Sequence, residues 1–337
     1  MLGRDSSCHT HLTGAIMSKH QLNRRDFLTA AGLGGASITA FRPLSAAPLA
    51  AGIPERKFFV VLSCGRIGVK ANFPESVDLA VKYGFEGVDP DAGYFSRLSD
   101  DELQKLLNEL KSKNLQLGAA GLPVDFRKDE ATFSEGLKKL STVAGILEKA
   151  GVTRVTTWIM PCSDELTYLQ NFRRHASRLR ECAVTLKEHG QRLGLEYVSA
   201  KTLWRSQRHP FLHTLSEIKE LIVAIGTGNV GVQLDSWHWF NAEETGEDLL
   251  ALRNEDIVTV DLNDAPAGIP LDQQVDSSRE LPAATGVIPV KAFLDSLRKI
   301  GYDGPIHAEP FNAALRAMPR DHACAATAAA MKKALAL

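Results

Sequence analysis

From residue 57 onward, short apolar runs of about 4–7 residues alternate with longer amphipathic stretches, the mark of strands alternating with helices. "KFFVVLS" (57–63), "FEGVD" (85–89), "LQLGAAG" (115–121) and "RVTTWIM" (154–160) predict the first four strands. "LGLEYVS" (193–199), "VGVQLD" (230–235), "IVTVDL" (257–262) and "PIHAEPF" (305–311) predict the next four. Between them the helical pattern covers 74–84, 99–114, about 130–150, about 165–192, 214–226, 246–254 and 289–301, and a closing helix runs through "PRDHACAATAAAMKKALAL". Ser99 suits an N-cap, with Asp100, Asp101 and Glu102 in the first turn. Gly226 suits a C-cap, and Pro289 the start of its helix.

Eight βα units in about 280 residues have the size and order of a (β/α)₈ TIM barrel, of class α/β. The alternative is an open doubly wound sheet, which usually carries a glycine-rich phosphate turn after its first strand. "SCGRIG" (63–68) offers only a GxxG spacing, and no ribose-binding acid follows. Residues 57–337 show no charge block or linker and are expected to form a single barrel domain.

Composition is that of an ordinary globular chain: 337 residues, 44% hydrophobic and 23% charged. A net charge of −1 supplies no basic field for nucleic acid, so no such partner is expected. Five scattered cysteines without a CxxC pair suggest neither a disulfide framework nor a zinc site. No apolar run reaches the roughly 18–20 residues of a membrane span. The first fifty residues stand apart. Arg24 and Arg25 precede a Gly/Ala-rich stretch, and "PLSAAPLAAG" offers small-residue cleavage points. This predicts a twin-arginine signal over 1–50 and a periplasmic or otherwise exported protein. Met17 is the better start than Met1 for such a signal.

Catalytic groups of a barrel project from the C-terminal ends of its strands. There this chain has Asp89 (strand 2), Glu196 (strand 5), Asp235 (strand 6), Asp261 (strand 7, with Asn263 and Asp264 beyond) and Glu309 (strand 8). A lone acid at a strand end is usually a helix N-cap or a loop ion pair. Four from consecutive strands repel one another, and a divalent cation resolves the conflict. Oxygen donors suit Mn²⁺ or Mg²⁺, while an added imidazole shifts the preference toward Mn, Co or Zn. His238, three residues past Asp235, is within reach as a ligand, as a substrate contact, or as a packed histidine between Trp237 and Trp239.

These residues carry a resemblance. "LEYVSAKT", "LDSWHWF", "VDLNDAPAG", "RELPAATGVIPVKAFLDSLRKIGYDGP" and "HAEPF" resemble the xylose isomerase-like TIM barrel family, the sugar phosphate isomerase/epimerase superfamily, over about 57–320. The resemblance implies a metal held by Glu196, Asp235 and Glu309, with the usual strand-7 histidine replaced by Asp261 as fourth ligand. It implies that His238 and Arg279 contact substrate. Asp89, Lys201 and Trp204 complete the expected substrate contacts, the last two on a basic loop ("KTLWRSQRHPFLHT") read either as a lid or as a solvated loop. Trp158 is either a sugar-stacking wall or packing, Asp264 is turn chemistry, and His307 is expected to point outward to the helices.

The implied activity is that of a divalent-metal-dependent isomerase or epimerase on a sugar or keto-sugar. Glu196 and Glu309 would move a proton next to a carbonyl through an enediolate. Elimination by a lyase or dehydratase on a keto-sugar or keto-glycoside uses the same residues, and a non-catalytic sugar-binding barrel is the reading of another class. The apurinic endonucleases of the superfamily need further histidines, which strands 2, 3 and 7 lack. The expected partner is a small carbohydrate; whether the chain forms a homo-oligomer stays open.

Overall fold

Local chemistry starts and stops the helices where the pattern places them. Ser99 and Glu102 form a reciprocal capping box, as do Asn72 and Glu75, and Thr214 caps Glu217 N–H. Gly84, Gly226 and Gly301 end their helices at φ near 70°, a conformation that costs other residues energy. The computed structural model describes residues 53–337; the export signal read at Arg24 and Arg25 and the alternative start at Met17 lie outside the described residues.

The elements run β1 (Phe59–Leu62), α1 (Phe73–Tyr83), β2 (Gly87–Val88), α2 (Asp100–Ser112), and β3 in two pieces (Gln116–Leu117 and Ala120–Gly121). Then come α3 (Glu130–Lys149), β4 (Arg154–Trp158), α4 (Tyr168–Glu188), β5 (Arg192–Glu196) and α5 (Leu215–Ile225). The last are β6 (Val230–Asp235), α6 (Gly246–Leu250), β7 (Ile257–Leu262), α7 (Val290–Ile300), β8 (Pro305–Ala308) and α8 (Arg320–Leu335). All eight strands are parallel neighbours in sequence order, and β8 returns to β1 through Phe59–Pro305 and Val60–Ile306. The ring passes through β3, whose first piece pairs with β2 and whose second pairs with β4. The chain is a (β/α)₈ barrel.

Gly118 lies between the two pieces of β3. A Cβ there would come within 2.8 Å of Asp89 Oδ1 and 3.2 Å of His307 Nε2, so the missing side chain makes room for a polar pair inside the barrel. His307 therefore faces inward, not outward as the sequence suggested. It lies two residues from Glu309, and period-two alternation puts both on one face. In register, Asp261 stands between Asp235 on β6 and His307 on β8. That places acids and imidazole at one level of the barrel.

The other differences lie at the mouth. Strand 5 stops at Glu196 and strand 8 at Ala308, because the chain turns there into short helices, Lys201–Trp204 and Ala313–Arg316. Another, Ser236–Asn241, follows β6 directly. No helix among the described residues is long and apolar enough to cross a membrane.

One buried group on the outer layer gives a pH test. His175 on α4 is packed against Phe126 and Phe211 with ring centroids at 5.4 and 5.0 Å, and its Nε2 has no partner. Burial pushes its pKa down to about 4. The unfolded chain therefore takes up this proton first as pH falls from roughly 6.5, and stability drains toward pH 4 by about 3 kcal/mol at most. His175→Phe is expected to remove that acid slope. Urea midpoints of both proteins at pH 7 and pH 5 check it; equal pH dependence would refute the assignment.

Candidate active site

Glu196 and Asp235 are the last residues of β5 and β6, Asp261 lies on β7, and Glu309 is one residue past β8. One carboxylate oxygen from each lies within 4.8 Å of the others. Glu196, Asp235 and His238 form a second such group. The cluster opens into a cavity of about 490 Å³. Glu196, His238, Asp276, Arg279 and Glu309 give it its polar lining, and Trp158, Met160, Val198, Leu203 and Phe311 its apolar lining.

Each acid is held by its neighbours. Asp235 Oδ1 accepts the Trp237 N–H at 2.6 Å, so this residue is indeed a helix N-cap, and it belongs to the cluster as well. Asn263 Nδ2 donates to both Asp235 oxygens. Arg279 reaches Asp235 at 2.7 Å, Glu309 at 3.1 Å, Asp276 at 2.8 Å and His238 Nε2 at 3.1 Å. Its guanidinium lies between the rings of Trp237 and Phe311, with Phe311 held at φ 39°. The long loop carrying Arg279 is tied down by Asp264, whose carboxylate accepts the N–H groups of Ala265, Thr285, Gly286 and Ile288. Asp264 is therefore not the local turn residue its sequence context suggested: three of its four N–H partners lie 21–24 residues further along the chain.

On the far side Arg66, from the loop after β1, forms an ion pair with Asp261 and lies 3.3 Å from Glu309 Oε1. The Asp261 contact is ionic rather than a well-angled hydrogen bond. Gln233 donates to Asp261 Oδ2 at 2.7 Å. Below, His307 Nε2 meets Asp89 at 2.8 Å, and its Nδ1 lies 3.5 Å from Asp261.

Burial and neighbouring charge push these groups apart. Burial, then the charges of Glu309, Asp235 and Asp261, lift Glu196 well above the carboxylate range. Burial also lifts Glu309, to about 7, with Arg66 and Arg279 restraining the rise. Burial works against ionisation of Asp261 too, but Arg66 and His307 outweigh it and hold its pKa below the usual range. His307 is pushed up to about 9, because Asp89 and Asp261 overcome the desolvation that disfavours its charge. His238 is shifted down, by burial and then by Arg279.

This donor set fits a divalent cation. Glu196 Oε1 is buried with no hydrogen-bond partner, and carboxylates outnumber the arginines around it. Among the expected site residues, Glu196, Asp235, Asp261, Glu309, His238 and Arg279 come together. Trp158 forms part of the cavity wall and is 43% exposed. Lys201 and Trp204 are not among the lining residues: Trp204 stacks on His213 at 4.5 Å, and Leu203 is the residue of that segment that reaches the cavity. Asp89 lines a different cavity, of about 500 Å³. The sequence reading passed over three residues. Arg66, in "SCGRIGVK", has no acid beside it in the sequence to mark it as part of the cluster. Asp276 is an unremarked loop acid three residues before Arg279. Gln233, a polar inward position two residues before Asp235, was visible in the period of β6.

Comparison with known proteins follows the same line. The sequence profile of the family described as "Xylose isomerase-like TIM barrel" matches residues 77–334. An inosose isomerase of Bacillus velezensis is 22% identical over 249 residues, covering 72% of this chain and 84% of that protein. The structure of a xylose isomerase domain protein from Alicyclobacillus acidocaldarius superposes with a TM-score of 0.71 at 29% identity, over 83% of this chain and 98% of that one. The IolI protein, solved with a bound zinc atom, gives a TM-score of 0.68 at 18% identity over the same shares of the two chains.

Proposed function

The chain belongs to the xylose isomerase-like TIM barrel family, and on that footing we propose that it is a divalent-metal-dependent sugar isomerase or epimerase. The observation that carries this reading is the pair Glu196 and Glu309. They come from strands three apart in the ring, both line one cavity, and their environments differ. The similarity to an inosose isomerase and to a zinc-bearing barrel supports the reading.

Glu196, Asp235 and Glu309 would hold the metal, with Asp261 the fourth carboxylate within reach. A divalent cation there would polarise a sugar carbonyl and its neighbouring hydroxyl, and stabilise the charge left when the adjacent carbon loses its proton. The chain's own groups supply the rest. Glu196 Oε1 meets no donor, so it is free to accept a proton from carbon. Glu309 is bracketed by Arg66 on one oxygen and Arg279 on the other, which fixes its direction. His238 and Arg279 offer polar contacts to sugar hydroxyls. The exposed Trp158 face offers a stacking surface, with the Arg127 guanidinium 4.3 Å from its ring centroid.

The test is solvent-deuterium exchange. Incubated in D₂O with Mn²⁺, the purified chain is expected to place deuterium on the carbon next to the carbonyl of a ketose, keto-glycoside or inosose from a panel. Proton NMR reads the exchange and separates it from elimination, which gives an unsaturated product. No exchange with any compound, together with no affinity for a divalent cation, would remove the enzyme reading and leave the sugar-binding barrel.

A further inference from the structure

One acid of the cluster differs from the others in what surrounds it. Asp261 is fully buried and meets Arg66 and His307 at Oδ1 and the Gln233 amide at Oδ2. It is thus the end of a polar chain, through His307 to Asp89, that crosses the barrel beneath the cavity. Glu196 differs in its charged neighbours: no arginine or lysine forms an ion pair with it among the described residues, and His238 Nε2 lies 3.7 Å from its unpartnered Oε1. Glu196 and Asp235 also converge with His238 as a second potential ligand set, and Asp261 does not. Asp235 and Glu309 do meet Arg279, but Arg279 stands in the cavity wall; Arg66 is not among the residues lining that cavity. Arg66 is fixed in turn, its carbonyl accepting from Arg316 Nη2 at 3.2 Å. A dication on the Asp261 oxygen that Arg66 already occupies would face a guanidinium across a single atom, an unfavourable arrangement in a buried site.

We propose that Arg66 is a positioning residue that keeps Asp261 as its own counter-ion, so that the metal site consists of three carboxylates, Glu196, Asp235 and Glu309. The inference rests on the metal-dependent reading above. It also gives Arg66 a second task, holding Glu309 Oε1 from the side opposite Arg279.

Binding of Mn²⁺ alone, by titration calorimetry on the full chain stripped with chelator, tests this without a substrate. The informative variant is Arg66→Met/Asp261→Asn. It removes both members of a buried pair and so leaves no orphan charge, and the Asn oxygen still accepts from Gln233. Because it also removes the Arg66 contact to Glu309 Oε1, it is expected to bind one Mn²⁺ only about tenfold more weakly than wild type, the low end of an outer-shell loss, whereas Asp235→Asn, which removes a ligand, loses about 100-fold or more. Should the double variant not fold, Arg66→Gln/Asp261→Asn keeps a donor opposite the amide oxygen and is read the same way. If the charge-balanced variant loses Mn²⁺ as Asp235→Asn does, Asp261 is a ligand and the inference is overturned while the enzyme reading stands. If wild type itself takes up no Mn²⁺, both fall together.

Discussion

Glu196→Gln is expected to cut solvent-deuterium exchange by at least roughly a thousandfold, the upper part of what a general base contributes, while the barrel stays folded. The substitution keeps the shape of a side chain that is buried at the end of β5 and whose Oε1 has no partner. What it removes is a proton acceptor and one charge facing the metal, so Mn²⁺ affinity should also fall, by about 10–100-fold. The metal-free proteins should differ in the reverse sense. The folded-state pKa of Glu196 lies above its unfolded value, through burial first and then through three neighbouring carboxylates. As pH rises past the unfolded pKa of about 4.3, the unfolded chain releases this proton before the folded one does, and wild-type stability falls. The glutamine lacks that slope. Urea melts of the metal-free proteins should show the variant gaining on wild type from pH 5 to pH 8. A variant that keeps its exchange activity, or that loses stability relative to wild type at pH 8, contradicts the role given to Glu196.

Much of this site was legible before any coordinates, because the barrel rule converts strand ends into positions in space. Reading only the last residues of the predicted strands retrieved Glu196, Asp235, Asp261 and Glu309, and the structure brings their oxygens within 4.8 Å of one another. The fold was legible for the same reason: the alternation of apolar runs with capped amphipathic stretches is a local signal, and Ser99 and Gly226 mark helix ends where expected. What escaped was non-local. Arg66 sits in the sequence beside nothing acidic, and its partners Asp261 and Glu309 lie 195 and 243 residues away in the chain. Only the closure of β8 onto β1 brings that loop over the acids.

The mouth loops were hard to read for a related reason. Lys201 and Trp204 have the composition of a lid, but composition does not say which side of a one-turn helix faces inward. Leu203 faces the cavity, and Trp204 turns to stack on His213. Asp89 does follow β2 directly, yet Gly118 leaves space for it to meet His307, which draws it into the barrel's polar interior and toward a separate cavity. His307 shows the limit from the other direction. Its period-two relation to Glu309 was available in "HAEPF", and following that alternation strictly would have turned it inward.

Arg279→Met is expected to have the largest effect on stability, and the effect should depend on metal. Arg279 is fully buried, pairs with Asp235, Glu309 and Asp276, and is held between two aromatic rings. Methionine can fill the space between the rings but leaves three acids without their shared cation. Breaking a buried pair from one side typically costs about 3–5 kcal/mol. The metal-free variant should therefore melt well below wild type. Saturating Mn²⁺ should recover much of that loss, because a ligand bound only by the folded state stabilises it by RT ln(1 + [L]/Kd) and because the cation replaces the lost positive charge. Arg279→Lys separates charge from geometry. An ammonium restores one positive charge but lacks the fork that reaches Asp235, Glu309 and Asp276 at once. It should therefore be intermediate in melting temperature, and Mn²⁺ should raise it less than it raises the methionine variant. Thermal melts of the three proteins with and without Mn²⁺ decide the matter. Equal melting temperatures without metal, or a methionine variant that Mn²⁺ fails to stabilise, would mean that these acids neither depend on Arg279 nor converge on a cation.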